Sequence, residues 1–435
     1  MKDKINIFWF RRDLRLDDNT GLFHALRAGL PVLPIFIFDT EILDKLENKH
    51  DARVEFIHNA LTEIDTELKK YNSSLLTLAG KPADIWIKLT DEYEISEVFT
   101  NHDYEPYATK RDAEIDSLLG NKGIKFNTFK DQVIFEKNEV VKPDGKPYSI
   151  YTPYSKTWRA KFSPKDIEEF PLKEPHSNFY KIKSLILSLD EIGFKKTGIS
   201  FPSKKVREGI IKNYGITRDI PSIDGTSRLS VHLRFGTVSP RKLVKLALKL
   251  NDIWLSELIW REFFMMILYH YPQSALSSFK PVYDRIKWRN NEAEFDAWCK
   301  GETGFPIVDA GMRELNATGF MHNRVRMITA SFLCKDLLID WRWGERYFAE
   351  KLLDYEMSSN VGNWQWAAGT GCDAAPYFRI FNPASQQEKF DPELKYIKKW
   401  VPEYGKFGYT QPIVDHKSAR ERTLKAYKEA LGKSV

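Results

Sequence analysis

Four short stretches of this chain carry side chains whose types and spacing suit chemistry. In Trp254-Leu255-Ser256-Glu257-Leu258-Ile259-Trp260-Arg261-Glu262, helical spacing puts Trp254, Glu257, Trp260 and Arg261 along one face, since residues three and four apart are neighbours. A carboxylate between two indoles suits a flat aromatic ligand with hydrogen-bond donors. The same residues also make an ordinary Glu257–Arg261 surface pair beside core tryptophans. In residues 320–327, Asn323 and Met327 stand four apart on one face while Arg324 points elsewhere. That face offers an amide and a thioether to a pocket, or a satisfied amide and a core methionine. From Asp354 to Trp366 the small and polar residues of a tight loop lead into two indoles, Trp364 and Trp366. Gly225-Thr226-Ser227-Arg228-Leu229-Ser230 sets hydroxyls and amides at a helix start. That arrangement can hold phosphate, and an ordinary helix cap shares it.

The elements that position these residues fall into an α/β front and a helical back. Short β-rich runs recur at residues 5–10, 31–38, 74–78, 95–100 and 124–128, with helical patterns between them. The clearest helix is 51–71, with Val54, Ile57, Leu61, Ile64 and Leu68 on its apolar face. Strand alternating with helix predicts a doubly wound parallel sheet covered on both faces over residues 1–130. Residues 131–200 are rich in lysine and proline and weakly periodic, which predicts a long interdomain connector. From 201 to 435 strand patterns vanish. Segments of 3.6 period at 241–250, 253–269, 323–338 and 343–353 predict an all-helical domain. The first strand runs into Arg11-Arg12-Asp13-Leu14-Arg15 with no glycine-rich turn, so the sheet lacks the dinucleotide fingerprint and a cofactor belongs in the helical half.

Composition narrows the class. A length of 435 residues predicts two or three domains, and 42% hydrophobic with 29% charged residues excludes a disordered chain. Cys299, Cys334 and Cys372 lie far apart, which supports neither a disulfide framework nor a zinc ribbon, and no metal is expected. No secretory core or bilayer-length apolar run occurs, so the expectation is a soluble cytoplasmic protein without membrane attachment. The net charge of +6 permits a polyanionic partner. Of the 12 tryptophans, all but Trp9, Trp86 and Trp158 fall between Trp254 and Trp400, a clustering that core packing does not require.

Together these segments resemble the photolyase/cryptochrome family. The match runs from Phe8-Trp9-Phe10-Arg11-Arg12-Asp13-Leu14-Arg15 to Asp373-Ala374-Ala375-Pro376-Tyr377-Phe378-Arg379-Ile380-Phe381-Asn382-Pro383 and covers nearly the whole chain. Within the family the sequence looks most like a class I cyclobutane pyrimidine dimer photolyase. The resemblance implies an α/β antenna domain, a connector and a helical FAD-binding catalytic domain. It implies that Tyr214 and Thr226, Ser227, Arg228, Leu229 and Ser230 hold the FAD phosphates, with Trp254, Arg261 and Arg326 around the cofactor. Asp354, Tyr355 and Glu356 would contact its flavin and adenine side, and Asn360 would face flavin N5. Trp364, Trp341 and Trp288 match the family's indole relay to the surface.

The implied substrate pocket is Glu257, Trp260, Asn323, Met327 and Trp366, where the indoles pack a pyrimidine dimer flipped out of DNA. Arg218, Arg324, Arg379 and Gln386 would grip the backbone of duplex or single-stranded DNA. Light would drive one electron from reduced FAD to the dimer and back, with Glu257 donating a hydrogen bond from its protonated form, a state burial favours. A six-four photolyase carries two histidines where this chain has Asn323 and Met327. A cryptochrome signalling protein often adds a long tail, whereas about 50 residues follow Asn382 here. Folate-carrying relatives have an Asn-Glu pair shortly after a Tyr-Glu step, but Tyr107-Ala108 follows Tyr104-Glu105-Pro106. A second antenna chromophore is therefore possible but of unknown type. The chain is expected to act as a monomer.

Overall fold

The computed structural model describes residues 3–172 and 178–432. The chain forms two compact units. The first takes Met1–Glu139, Lys161–Val206 and Arg228–Lys249, and the second takes Val140–Ala160, Arg207–Ser227 and Leu250–Val435.

The first unit is built on five parallel strands: β1 (Lys4–Phe10), β2 (Val32–Asp39), β3 (Leu76–Gly80), β4 (Glu94–Asn101) and β5 (Lys125–Phe129), in the spatial order β3-β2-β1-β4-β5. Strand order reverses between β1 and β4, as in a doubly wound sheet. Helices α1 (Thr20–Arg27), α2 (Ala52–Leu68), α3 (Pro82–Glu92) and α4 (Pro106–Gly120) connect the strands. All eight residues of β2 are buried, which is why this strand reads as an unbroken apolar run without alternation. On one face Ile5, Ile7 and Trp9 of β1 pack with Ile85, Trp86 and Leu89 of α3 and with Ile115 and Leu119 of α4. Helix α1 lies so close to the sheet that a Cβ on Gly21 would stand 2.9 Å from both Phe8 and Asn101.

Residues 131–200 are mostly turns and extended backbone over their described part, but they hold one helix, α5 (Tyr151–Lys161), which belongs to the second unit. It buries Tyr154, Ser155 and Trp158. Pro153 is tolerated in its first turn, and lysines and arginine cover the rest, so little apolar period marks it in the sequence. Helix α6 (Pro240–Leu250) returns to the first unit.

The second unit is helical: α7 (Asp252–His270), α8 (Pro306–Thr318), α9 (Asn323–Ser331), α10 (Trp341–Lys351), α11 (Met357–Ala368), α12 (Pro383–Phe390) and α13 (His416–Ala430), with a nine-residue helix at Glu292–Lys300 and shorter pieces between. The helix predicted over 323–338 differs: α9 ends at Ser331 and the chain continues as a π turn over Phe332–Asp336. That turn takes the ammonium of Lys335 into the interior, where it donates to the carbonyls of Ala368 (2.7 Å) and Tyr377 (3.2 Å). The core gathers Trp298, Ile307, Leu315, Val325, Leu333, Phe348 and Trp364. Gly362 brings α11 against α7, since a Cβ there would meet the Phe264 ring at 2.2 Å. Among the described residues no helix is long and apolar enough to cross a membrane.

Candidate active site among the helices of the second unit

Three elements of the second unit converge on one cavity of about 600 Å³, its open mouth included. Helix α9 contributes Asn323, Arg326 and Met327; the loop before α11 contributes Asp354, Tyr355 and Glu356; α11 itself contributes Ser359, Asn360, Trp364 and Trp366. Their arrangement follows from local rules. The His322 ring nitrogen accepts from the Arg324 amide and caps α9 (3.2 Å), so Asn323 opens the helix and Met327 lies one turn below it. Glu356 caps α11 by accepting from the Ser359 amide (2.8 Å) and the Ser358 hydroxyl (2.5 Å), which fixes where Asn360, Trp364 and Trp366 begin their turns. Nine of the residues marked in the sequence are thereby joined to one hollow: Asn323, Arg326, Met327, Asp354, Tyr355, Glu356, Asn360, Trp364 and Trp366 on its wall, with Glu356 also serving as a cap. Trp364 has room because Gly344 on α10 has no Cβ, which would sit 2.2 Å from its ring.

The polar groups of the wall are held at one end and open at the other. Arg326 donates to the Met321 carbonyl (2.7 Å) and to Asp354 Oδ2 (2.9 Å). Asp354 Oδ1 is buried and has no hydrogen-bond partner, a cost that a bound donor removes. The Asn360 side-chain amide donates to the carbonyl of Glu345 (3.1 Å) and to its Oε1 (2.9 Å). With both amide hydrogens engaged, Asn360 offers a ligand an oxygen acceptor. Burial raises the Glu345 carboxyl above its ordinary value, and the Asn360 hydrogen bond works against that. Glu345 was not marked in the sequence; the only signal for it is that a buried asparagine needs an acceptor.

The remaining marked residues lie outside this wall. Trp254 is buried, and Glu257, Trp260 and Arg261 are half-buried along α7. Glu257 is engaged by the Arg218 guanidinium, an ion pair the sequence did not suggest. Burial raises the Glu257 carboxyl, Arg218 opposes that, and nearby Asp219 adds to it. Trp260 is stacked face to face on Tyr151 of α5, with ring centres 3.6 Å apart and planes at 7°. Tyr151, supplied by the stretch the sequence reads as connector, is thus the stacking partner of Trp260. It covers one face of Trp260, and Phe264 packs near that indole as well, with ring centres 5.5 Å apart and planes at 28°.

Arg218 and Arg324 come together through Asp219, whereas Arg379 is exposed and Gln386 half-buried on α12. Trp364 and Trp341 are buried and Trp288 is half-buried, with its ring 6.1 Å from Tyr427. Trp298, not marked in the sequence, stands 6.0 Å from Trp364. Tyr214, Thr226 and Ser227 belong to the second unit, while Arg228, Leu229 and Ser230 fall in the first. Arg228 adopts a left-handed φ of 53°.

The sheet of the first unit has its own ligand-type crevice, outside the carboxyl ends of β1 and β4. Several of its polar groups pair within the chain, while the buried Trp9 indole nitrogen has no hydrogen-bond partner. Arg11 pairs with Asp112, Arg12 with Asp103 (3.0 Å) and Glu105 (2.9 Å), and Asp13 accepts from the Asn101 amide (2.5 Å). Tyr107 donates to Asp39 (2.6 Å), and Arg11 and Arg111 flank the Trp9 ring at 5.1 and 4.9 Å.

Comparison with known proteins agrees with this division of labour. Residues 6–175 match the family model of DNA photolyase, and residues 254–408 match the FAD binding domain of DNA photolyase. A deoxyribodipyrimidine photo-lyase of Synechococcus is 36% identical over 97% of this chain and 95% of its own length. A class III photolyase of Agrobacterium tumefaciens superposes with a TM-score of 0.87 at 33% identity, covering 100% of this chain and 99% of that one. A photolyase of Sulfolobus tokodaii, solved with two FAD molecules, superposes with a TM-score of 0.84 at 35% identity over 98% of this chain and 99% of that one. The α/β unit, the FAD binding domain and this likeness over full length make the chain a member of the DNA photolyase family.

Proposed function

We propose that this protein repairs cyclobutane pyrimidine dimers in DNA, using light and a reduced FAD seated in the α9–α11 cavity. The observation that carries the reading is the cavity itself. It joins eight of the residues assigned to cofactor and dimer, Asn323, Arg326, Met327, Asp354, Tyr355, Glu356, Asn360 and Trp366, and leaves the buried Asp354 Oδ1 waiting for a donor. When bound, FAD supplies the light-driven one-electron chemistry.

The chain's own residues do the holding. Asp354, braced by Arg326, accepts from the cofactor's ring edge, and Asn360, braced by Glu345, accepts with its oxygen. Asn323 and Met327 stand on the same wall and meet the damaged bases, with Trp366 closing against them. Trp260 offers its indole from α7, steadied by Tyr151. Glu257 donates to a base carbonyl once protonated, and Arg324, Arg379 and Gln386 with Arg218 take the DNA backbone. Trp364 lines the cavity, and Trp341 and Trp288 carry charge outward. The absence of histidine at 323 and 327 removes the acid–base group a six-four lesion needs.

The test is repair. Reduced, flavin-loaded protein under blue light should return thymine dimers in an oligonucleotide to monomers, as read by chromatography of the bases. Repair of six-four lesions alone, or of neither lesion, overturns the reading.

A further inference from the structure

Four charges form a string that reaches the first turn of α9, next to Asn323. The Arg218 guanidinium pairs with Glu257 through Nη1, and its Nε stands 3.9 Å from Asp219 Oδ1. Asp219 Oδ1 also accepts from Arg324 Nη2 (2.8 Å) and Nε (3.2 Å). Arg324 in turn lies over the Phe390 ring at 4.3 Å. Two carboxylates and two guanidiniums therefore satisfy one another while each side chain stays partly open to solvent, from 17% for Arg324 to 41% for Asp219.

This string bears on what Glu257 can do. A carboxylate beside a guanidinium only accepts hydrogen bonds, whereas a base carbonyl needs a donor. The groups facing Glu257 are Arg218 and Asp219, with the phenols of Tyr214 and Tyr151 on the neighbouring elements. Arg218 is the cation that pairs with Glu257, while Arg261 stands one turn further along the same helix. Remove Arg218, and what remains around Glu257 is low-dielectric surface and one carboxylate, both of which favour the protonated acid, with two neutral phenols beside them. A phosphodiester cannot displace Glu257 or Asp219 chemically, but it can compete for the fork of Arg218, since guanidinium binds phosphate and carboxylate in the same bidentate way. Asp219 keeps Arg324 in place by two hydrogen bonds while its contact with Arg218 is longer, so Arg218 is the arginine that can leave.

We infer that Arg218 is a latch: it holds Glu257 as a carboxylate in the free protein, and a DNA backbone phosphate takes the guanidinium so that Glu257 gains one proton from solvent and becomes a donor to the lesion. The inference rests on the reading that this pocket binds a dimer in DNA. No bond other than O–H forms or breaks in the switch, and the proton is supplied by buffer.

The experiment is a calorimetric titration of flavin-loaded protein with a thymine-dimer oligonucleotide near neutral pH. Running it in two buffers of different ionisation heat gives the protons taken up on binding. Wild type should take up close to one proton per site more than Glu257→Gln. Arg218→Leu should take up less than wild type and, in the free protein, should already show the infrared carbonyl band of a protonated carboxyl that Glu257→Gln lacks. Equal uptake by wild type and Glu257→Gln overturns the latch, as does a protonated band in free wild type or its absence in free Arg218→Leu. The infrared arm decides if Arg218→Leu binds too weakly to titrate. Failure of wild type to repair dimers at all would instead sink the underlying function, so the two failures are told apart.

Discussion

The sheet crevice of the first unit and the helical cavity of the second are both places where such folds bind ligands, yet they are built in opposite ways. At the crevice the charges beside the sheet find partners within the chain: Arg11 pairs with Asp112, Arg12 with Asp103 and Glu105, and Asp39 of β2 accepts from the Tyr107 hydroxyl. Burial works to raise Asp103, and the surrounding arginines, Arg12 first, overcome it and hold the carboxyl far below the carboxylate range. In the cavity the partners are used from one side only. Arg326 satisfies one oxygen of Asp354 and leaves the other buried and unmatched, and Glu345 occupies the hydrogens of Asn360 and leaves its oxygen. A crevice that satisfies itself gains stability from its polar groups. A cavity that does not spends stability to be ready for a ligand.

The sharpest way to break this comparison is to remove the waiting charge. Asp354→Asn keeps the shape of the wall and loses the anion, and it should weaken FAD binding by roughly tenfold or more, as the loss of a charged hydrogen bond implies. Flavin absorbance per protein after dialysis reads this. Asp39→Asn at the crevice should leave flavin content at the wild-type level; equal flavin loss in both variants would show that the two sites do not differ as described.

A second contrast uses two buried indoles. Trp364 lines the cavity, whereas Trp9 is enclosed between Arg11 and Arg111. Trp364→Phe should abolish most photoreduction of oxidised flavin by an external thiol, followed by the loss of the oxidised band under blue light, while Trp9→Phe should keep it. Photoreduction intact in Trp364→Phe would remove that indole from the electron route.

The smallest effect concerns an interior charge that has no carboxylate among its described hydrogen-bond partners. Burial pushes Lys335 down to about 7, while its ammonium donates to two carbonyls and lies 3.8 Å from the centre of the Tyr427 ring. Between that value and the ordinary 10.5 the unfolded chain binds a proton that the folded one does not, so stability rises with pH across this window. Below about 7 the lysine weighs most against the fold. Lys335→Met should therefore melt above wild type by the widest margin at and below neutral pH, with the Ala368 carbonyl still served by the Tyr427 hydroxyl (2.6 Å), and the margin should narrow as pH rises. Thermal melts followed by circular dichroism across pH check this, and a margin that widens with pH would refute it.

Much of the fold is legible in the sequence because its signals are local. The five β-rich runs lie on the five strands, and the helical segments at 241–250, 253–269 and 343–353 fall within two residues of α6, α7 and α10 at each end. Helix α5 is not legible, because three buried residues and an early proline carry too little period. The stripe of α7 fixes that Trp254, Glu257, Trp260 and Arg261 share a face, and α9 fixes the same for Asn323 and Met327.

What the sequence determines by itself is thus which side chains lie on one helix face, and that the turn after β1 has no glycines to admit a pyrophosphate. The partners across space belong to the tertiary structure alone: Arg218 for Glu257, Tyr151 for Trp260, Glu345 for Asn360 and Asp219 for Arg324. The physical reason is range. Helix periodicity is set by neighbours within four residues, whereas each of these pairs joins elements far apart in the chain, brought together by packing such as the Gly362–Phe264 contact, which no local pattern announces.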